Sequence, residues 1–206
     1  MKRLRRYILP VLSAALLLLA VRGCFVRELY LASAPGIGGY EAGDRLFVSL
    51  ASYGWHCPLR RCGSDGRIGF CSPVVGDVVA YERPADGRVR IGLCRALPGM
   101  KVAIDTATCR LLPLQPATET ESFTVPHHCQ PVPLCPLNAR MLVVLARRHE
   151  ASQVKVTPSG RAVVGGVVLD SLRFSRDYYL LETHPDTFEL VPHEALIGRV
   201  VGRLSF

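Results

Sequence analysis

After residue 27, short apolar runs alternate with turn-forming residues along the chain. Apolar runs of about four to eight residues that are bounded by Gly, Pro, Asp or Ser are typical of β-strands, since a helix needs a longer amphipathic stretch. This pattern predicts a mostly β fold with little helix. The predicted strands are RLFVSL (45–50), GDVVAYERP (76–84), RVRIGL (88–93), KVAID (101–105), RAVVGGVVL (161–169), DYYLLE (177–182) and LIGRVVGRLSF (196–206).

Two segments outside the N-terminus are helix candidates. The longer, NARMLVVLARRHEAS (138–152), also fits a strand that enters a turn, and the shorter is HEALIG (193–198). Between them, GGVVLDS predicts a hairpin with Gly165 and Gly166 in its tight turn. We expect exposed loops at 56–73, where three cysteines suggest a local disulfide, and at 111–122, which is rich in Pro, Thr and Glu.

The N-terminus has the pattern of an export signal or a membrane anchor. MKRLRR (1–6) carries four positive charges and precedes an apolar run at 7–21. A spanning helix needs about 20 apolar residues, and the run reaches this length at Val26 if Arg22 extends to the membrane surface. We therefore predict a transmembrane anchor within residues 1–27, with lipidation at Cys24 or cleavage of the segment as alternatives.

The same charges predict the orientation of the chain. Because positive residues stay on the cytoplasmic side, the N-terminus is expected inside and residues 28–206 outside. The expected protein is a single-pass protein of the inner, cytoplasmic membrane whose main β domain is extracytoplasmic.

The charge balance argues against nucleic acid as a partner. The chain has 25 Lys and Arg against 17 Asp and Glu, a formal net charge of +8, but four of the positive charges lie in the first six residues. The remainder is only mildly basic, whereas nucleic-acid-binding domains carry clustered positive charge. We expect no nucleic-acid partner and no cofactor.

The cysteine content supports export, because disulfides form and persist in oxidising compartments. We expect most of the seven cysteines beyond the anchor to pair, with one left free or joined to Cys24. The run HHC (127–129), with Cys135 nearby, offers metal-ligand residue types, but disulfide-bonded or inert cysteines are the preferred interpretation and no metal is expected. The eight cysteines are Cys24, Cys57, Cys62, Cys71, Cys94, Cys109, Cys129 and Cys135.

Four collinear segments resemble bacterial type I signal peptidases, the Ser/Lys endopeptidases that cut signal peptides from exported preproteins on the outer face of the membrane. The similarity extends from Phe25 to the C-terminus, and the order of the segments matches the family. They are LYLASAPGIGGYEAGDRLFVSLASYG (29–54), PVVGDVVAYERP (73–84), IGLCRALPGMKV (91–102) and DYYLLE with LVPHEALIGRV (177–200). The resemblance implies a signal-peptidase-like β domain behind one N-terminal membrane helix.

Catalysis in this family depends on two residues that this chain lacks. A serine attacks the scissile carbonyl, and a neutral lysine takes the proton of the serine. Counted back from the Gly-Asp turn at 43–44, the serine position is Pro35, and counted back from Leu-Pro-Gly at 97–99, the lysine position is Gly92. The family's Gly-Asp-Asn segment also has no counterpart between 179 and 192. The resemblance therefore implies a catalytically inactive homologue.

An active enzyme is the alternative interpretation. A shift of two residues in the alignment places Ser33 at the nucleophile position, but the base must then be found elsewhere. The lysines beyond Lys2 are Lys101 and Lys155, and neither aligns with a catalytic position. The histidines that remain as candidate bases are His56, His127, His128, His184 and His193.

The family binds its peptide as an added β-strand, with backbone hydrogen bonds for affinity and small pockets for selection. The residues that the resemblance places along the two groove edges are Leu29, Leu31 and Ser33 on one side and Val78, Val79 and Tyr81 on the other.

Three functions follow from these observations. We expect a membrane-anchored protein that binds an exported preprotein or an envelope partner without cutting it. The alternatives are a divergent signal peptidase that cuts at a non-standard site, and a structural component of an envelope complex with no groove. A lysine close to Ser33 would favour the enzyme, and a collapsed cleft around Pro35 would favour the structural component.

Overall fold

The computed structural model describes residues 11–14, 25–31, 33–56, 67–68, 71–83, 86–105, 110–112, 122–136, 138–150, 153–185 and 187–205. These residues are mostly β, as predicted. The elements are β1 (Val26–Tyr30), β2 (Arg45–Ser49), β3 (Trp55–His56), β4 (Arg67–Ile68), β5 (Val78–Glu82), β6 (Val89–Ala96), β7 (Lys101–Asp105), β8 (Arg110–Leu112), β9 (Ser122–Thr124), β10 (Pro131–Pro133), α1 (Ala139–His149), β11 (Lys155–Val156), β12 (Ala162–Val164), β13 (Val167–Leu169), β14 (Ser171–Arg173), β15 (Tyr178–His184), β16 (Thr187–Pro192) and β17 (Leu196–Leu204).

The largest sheet has seven strands in the order β1-β2-β17-β5-β6-β15-β16, and every neighbouring pair is antiparallel. Because successive side chains of a strand point to opposite faces, the apolar residues of β5 and β6 serve two clusters. The cluster on one face is formed by Leu31, Ile37, Leu46, Val48, Ala80 and Ile91. The cluster on the other face is formed by Tyr53, Val79, Tyr81, Cys94, Tyr179, Leu181, Val191 and Leu196.

A second core surrounds α1, which confirms the helical alternative for the 138–152 segment. Ala139, Leu142, Val143, Leu145 and Ala146 are buried, and this spacing of three to four residues places them on one side of the helix. They pack with apolar residues of the shorter strands and of β15, and buried members of this core include Phe123, Val132, Phe174, Tyr178 and Leu180.

The local predictions near the end of the chain have different outcomes. The hairpin is confirmed, since β12 and β13 pair around Gly165 and Gly166, whose φ angles of 58° and 88° are those that glycine adopts readily. The helix predicted at 193–198 is wrong beyond its first turn. A 3-10 helix covers only His193–Ala195, and β17 begins at Leu196 because the next residues pair with β5 and β2.

The N-terminal predictions fall mainly outside the described residues. Residues 11–14 are helical, whereas 1–10 and 15–24, including Cys24, are not described. No helix in the described ranges is long and apolar enough to cross a membrane.

The prediction that most of the seven cysteines beyond the anchor pair is wrong, since the four that the structure describes carry no disulfide. Cys71, Cys94, Cys129 and Cys135 are free thiols, so the local disulfide suggested for the 56–73 loop does not include Cys71. Cys57, Cys62 and Cys109 and most of the two predicted loops at 56–73 and 111–122 lie outside the described residues.

Candidate functional site

The segment that follows β1 forms a loop with a closed base. The amide of Leu31 donates to the carbonyl of Asp44 (3.0 Å), and the amide of Gly43 donates to the carbonyl of Leu31 (2.8 Å). Asp44 is buried, and its carboxylate accepts from the amide of Glu41 (2.8 Å) and from Nε of Arg203 (2.9 Å). Ile37, which is 4% exposed, inserts into the core and fixes the middle of the loop.

This loop borders a cleft of about 590 Å³. The cleft is open around Pro35, which is the opposite of the collapsed cleft that would favour a purely structural component. Three surfaces surround it. The loop wall consists of Tyr30, Leu31, Ser33, Ala34 and Pro35, the sheet wall of Arg83, Arg88, Val89, Arg90 and Ile91, and the hairpin end of Thr183, His184, Thr187, Phe188 and Glu189.

The sheet wall carries an unpaired strand edge. On one side β6 pairs with β5 along residues 89–93, but on the other side its pairing with β15 stops at Leu93 and Glu182. Beyond Glu182, β15 changes register in its pairing with β16, and none of the described strands covers the outer edge of residues 89–91. Backbone donors and acceptors at such an edge are available to an added strand.

The structure corrects one of the two predicted groove edges. Val78, Val79 and Tyr81 belong to β5, which pairs with β17 on one side and with β6 on the other, so β5 has no free edge for a peptide. Val79 and Tyr81 are also fully buried on the face opposite the loop. The edge that faces the loop lies one strand further, at residues 89–91.

The other predicted groove residues lie close to the cleft. Leu31 and Ser33 line it, with Leu31 also buried in the core. Leu29 is half-buried and packs against the cluster beneath the loop. The sheet-wall residues were missed as site residues, although four of them, at 88–91, directly precede Gly92, the position that the resemblance assigns to the base.

The two positions that the sequence resemblance assigns to a catalytic pair have different surroundings. Pro35 lines the cleft, whereas Gly92 is buried in β6 and lies outside the cleft lining. A Cβ atom at Gly92 would lie 3.0 Å from Cβ of Leu181 and 3.3 Å from the carbonyl oxygen of Glu182. The space that a lysine would need at this position is filled by β15.

No lysine lines the cleft among the described residues. Lys101 lies in β7, paired with β9, and Lys155 lies in the small sheet of β11, β12 and β13. The structure therefore places neither lysine in the cleft that contains Ser33.

One histidine does reach the cleft. His184 lies at the hairpin end, where its Cδ2 would be 3.5 Å from a Cβ at Gly36. It shares the lining with Ser33, but no hydrogen bond between described residues joins the two side chains. Of the other candidate bases, His127 and His128 lie together beside Asp177, and His193 contacts Tyr179. For His56, the structure describes only its backbone place in β3.

Of the three arginines that line the cleft, Arg88 has no ion-pair partner among the described residues. Arg83 pairs with Glu189 (3.1 Å), and this hydrogen bond raises the pKa of Arg83. Arg90 pairs with Asp86 (3.2 Å). The guanidinium of Arg88 forms no ion pair with any described residue, and Arg88 is exposed, so the sheet wall presents a free positive charge.

Comparisons with known proteins do not identify a relative. The sequence matches no protein-family model, and no curated protein matches it. The described residues also contain no group of three or more His, Cys, Asp or Glu side chains that could hold a metal ion. The family relationship therefore stays a prediction from the four sequence segments.

Proposed function

We propose that this protein is a catalytically inactive, signal-peptidase-like protein that is anchored in the cytoplasmic membrane and binds an extended segment of an exported polypeptide or envelope protein. The observation that carries the proposal is the unpaired edge of β6 at residues 89–91, which faces the loop wall across a cleft of about 590 Å³. A peptide in this cleft would add a strand to β6 and contact the loop with its other side.

The lining of the cleft suits a peptide more than a small ligand. Its walls combine apolar side chains such as Leu31, Ile91 and Phe188 with polar groups such as Ser33 and Thr183. Backbone hydrogen bonds at an open edge bind many sequences, and small residues at Ser33 and Ala34 leave room for side chains of the guest.

The absence of catalysis is proposed on two grounds. Acyl transfer by a serine requires a base within hydrogen-bond reach of its hydroxyl. Gly92 has no titratable side chain, and contact with Leu181 fills the space beside it. In addition, the described lining of the cleft holds no lysine.

A second candidate is supported by one observation. Ser33 and His184 line the same cleft, and a histidine is the commonest general base for a serine nucleophile. In that case the protein is a divergent serine endopeptidase that uses His184 in place of the family's lysine.

One experiment separates these two functions. The full chain is incubated with a fluorescent secretory preprotein, and binding and cleavage are measured in parallel. We expect binding without cleavage, and unchanged binding in Ser33→Ala. Cleavage that disappears in both Ser33→Ala and His184→Gln would establish the enzyme instead.

A matched pair of variants locates the binding site. Ser33→Trp fills the cleft and should abolish binding, whereas Val168→Trp places the same side chain on an exposed hairpin strand and should not change binding. Equal binding by both variants would exclude the cleft as the site.

A further inference from the structure

A cysteine and a histidine form a surface pair in the segment between β9 and β10. Cys129 and His128 are both exposed, and Sγ of Cys129 lies 3.3 Å from Nε2 of His128. His128 bridges to Phe174, and the amide of Cys129 donates to the carbonyl of Phe174 (2.9 Å). The carboxylate of Asp177 accepts from the amide of His128 (2.8 Å). These backbone contacts hold the two residues in place.

The hydrogen bond of Nδ1 determines whether Nε2 of His128 is a hydrogen-bond donor or acceptor. Nδ1 lies 2.7 Å from the carbonyl oxygen of Ser175, and a carbonyl oxygen can only accept. Nδ1 therefore carries the proton, and in the neutral ring Nε2 is the acceptor. The thiol of Cys129 is thus positioned to donate its proton to Nε2.

Ser175, whose carbonyl oxygen accepts from Nδ1, is held in place by hydrogen bonds of its own. Ser175 is held by Glu150, whose carboxylate accepts from the amide (3.2 Å) and from the hydroxyl (2.6 Å) of Ser175. The arrangement therefore has the three parts of an activated nucleophile, which are a thiol, an imidazole base and a group that orients the base.

The backbone of Cys129 adds a further constraint. Its φ of 58° lies in the left-handed region, where residues other than glycine are uncommon. Among the described residues it is the only non-glycine with a positive φ. In this conformation Sγ lies 3.3 Å from Nε2 of the preceding residue.

We infer that Cys129 is a thiol-modification site at which His128 acts as the base, and that its reaction partner is a disulfide. The thiolate of Cys129 attacks one sulfur of the disulfide, a new S–S bond forms, and the original S–S bond breaks. The Cys129 sulfur is oxidised, and the departing sulfur is reduced to a thiolate. The proton moves from Cys129 to Nε2 of His128 and then to the departing thiolate.

Two other free cysteines provide internal references. Cys71 is exposed, and no described histidine contacts its sulfur. Cys94 is fully buried, and burial raises the pKa of its thiol to about 12, so it should react only when the chain unfolds. The rate at Cys71 is therefore that of an exposed thiol without a histidine beside it, and modification of Cys94 shows that the chain has unfolded.

The test measures the rate of mixed-disulfide formation with oxidised glutathione in the reduced full chain, by peptide mass spectrometry at each cysteine. We expect Cys129 to react about tenfold faster than Cys71 at neutral pH. His128→Gln should lower the Cys129 rate to that of Cys71, whereas His127→Gln, the matched control, should leave the Cys129 rate within about twofold. Equal rates at Cys129 and Cys71 in the unaltered chain would overturn the inference, as would an unchanged Cys129 rate in His128→Gln.

A measurement on the unaltered chain tests the role of the folded geometry without depending on whether a variant folds. In concentrated urea the pairing of Cys129 with His128 is lost, so the ratio of the Cys129 and Cys71 rates should fall close to one. A ratio that stays the same in native buffer and in urea would attribute the reactivity to local sequence and would refute a role for the folded geometry. Modification of Cys94 in native buffer marks any variant that has unfolded.

Discussion

The loop wall and strand β6 each contain one of the two positions that the sequence resemblance assigns to a catalytic pair, but they differ in packing. On the loop side, Ser33 and Ala34 are exposed and Pro35 is half-buried. On the strand side, Ile91, Gly92 and Cys94 are buried. A change at 35 therefore meets the open cleft, whereas a change at 92 meets a close-packed interior, where one extra methylene already costs free energy.

Because of this difference, a serine at 35 and a lysine at 92 are not equally easy to introduce. A serine at 35 would need no rearrangement of its neighbours. A lysine at 92 would have to displace Leu181 or the backbone of Glu182. Under our proposal, the close packing around position 92 is therefore what keeps the protein catalytically inactive.

The largest expected effect is that of Gly92→Lys. We expect the free energy of unfolding to fall by about 3–5 kcal/mol, because the side chain collides with Leu181 and places a charge in a close-packed interior. Urea denaturation followed by circular dichroism measures this. Gly92→Ala is the matched control, with an expected loss of about 1–2 kcal/mol from the collision alone. A Gly92→Lys protein as stable as the unaltered chain would show that the strand side is not close-packed.

The second effect concerns alkaline pH. Burial raises the pKa of Cys94 to about 12, from an ordinary value of 9.0. As the pH rises above about 9, the unfolded chain releases this proton while the folded chain keeps it, so stability falls with pH up to the folded pKa. We expect Cys94 to contribute a loss of about 1 kcal/mol between pH 9 and pH 10. Urea denaturation of the unaltered chain and of Cys94→Ala at both pH values measures this, and equal pH slopes would contradict the prediction.

The third effect tests the loop side. Gly36 has a φ of 73°, and a Cβ there would lie 2.8 Å from Cδ of Pro185. Gly39 has a similar φ of 71°, but a Cβ there would meet nothing within 4 Å. Gly36→Ala should therefore lose about 2 kcal/mol and Gly39→Ala about 1 kcal/mol, the difference being the collision with Pro185. Thermal unfolding of both variants gives the comparison, and equal losses would mean that Pro185 moves freely away from the loop.

The smallest expected effect is that of Pro35→Ser. This substitution faces the cleft, so we expect the free energy of unfolding to change by no more than about 0.5 kcal/mol. We also expect no cleavage of a preprotein, since a hydroxyl without a base is a poor nucleophile. Gel analysis of the preprotein after incubation measures this. Cleavage by this single variant would mean that another group in the cleft, with His184 the first candidate, acts as a base.

The apolar runs predicted five strands of the largest sheet, β2, β5, β6, β15 and β17, because a strand that is buried on both faces is apolar without interruption. β1 and β16 were not among the predicted strands. Val79 and Tyr81 alternate with Ala80 on the two faces of β5, and the same alternation continues in β6. The paired glycines at 165 and 166 likewise predicted their hairpin, since the turn needs positive φ at both positions.

The cleft was harder to predict because it depends on strand order. The free edge at 89–91 exists only because β15 stops pairing with β6 at Glu182, and no local pattern records where a distant strand ends its pairing. In the same way, His184 reaches the cleft through the contact of Pro185 with Gly36, two residues far apart in sequence. The segment at 138–152 stayed ambiguous because its apolar residues fit either a strand or a helix until neighbouring strands form a core around it.

The position of β17 has a consequence for how the protein is made. This strand lies between β2 and β5, so these earlier strands cannot join into one sheet until residues 196–204 have been synthesised and have paired with both. Until then the facing edges of β2 and β5 stay exposed together with their apolar side chains, a state that favours aggregation. Biosynthesis of this chain therefore requires that a late segment complete the centre of the sheet, and a chaperone that covers exposed strand edges would assist that interval.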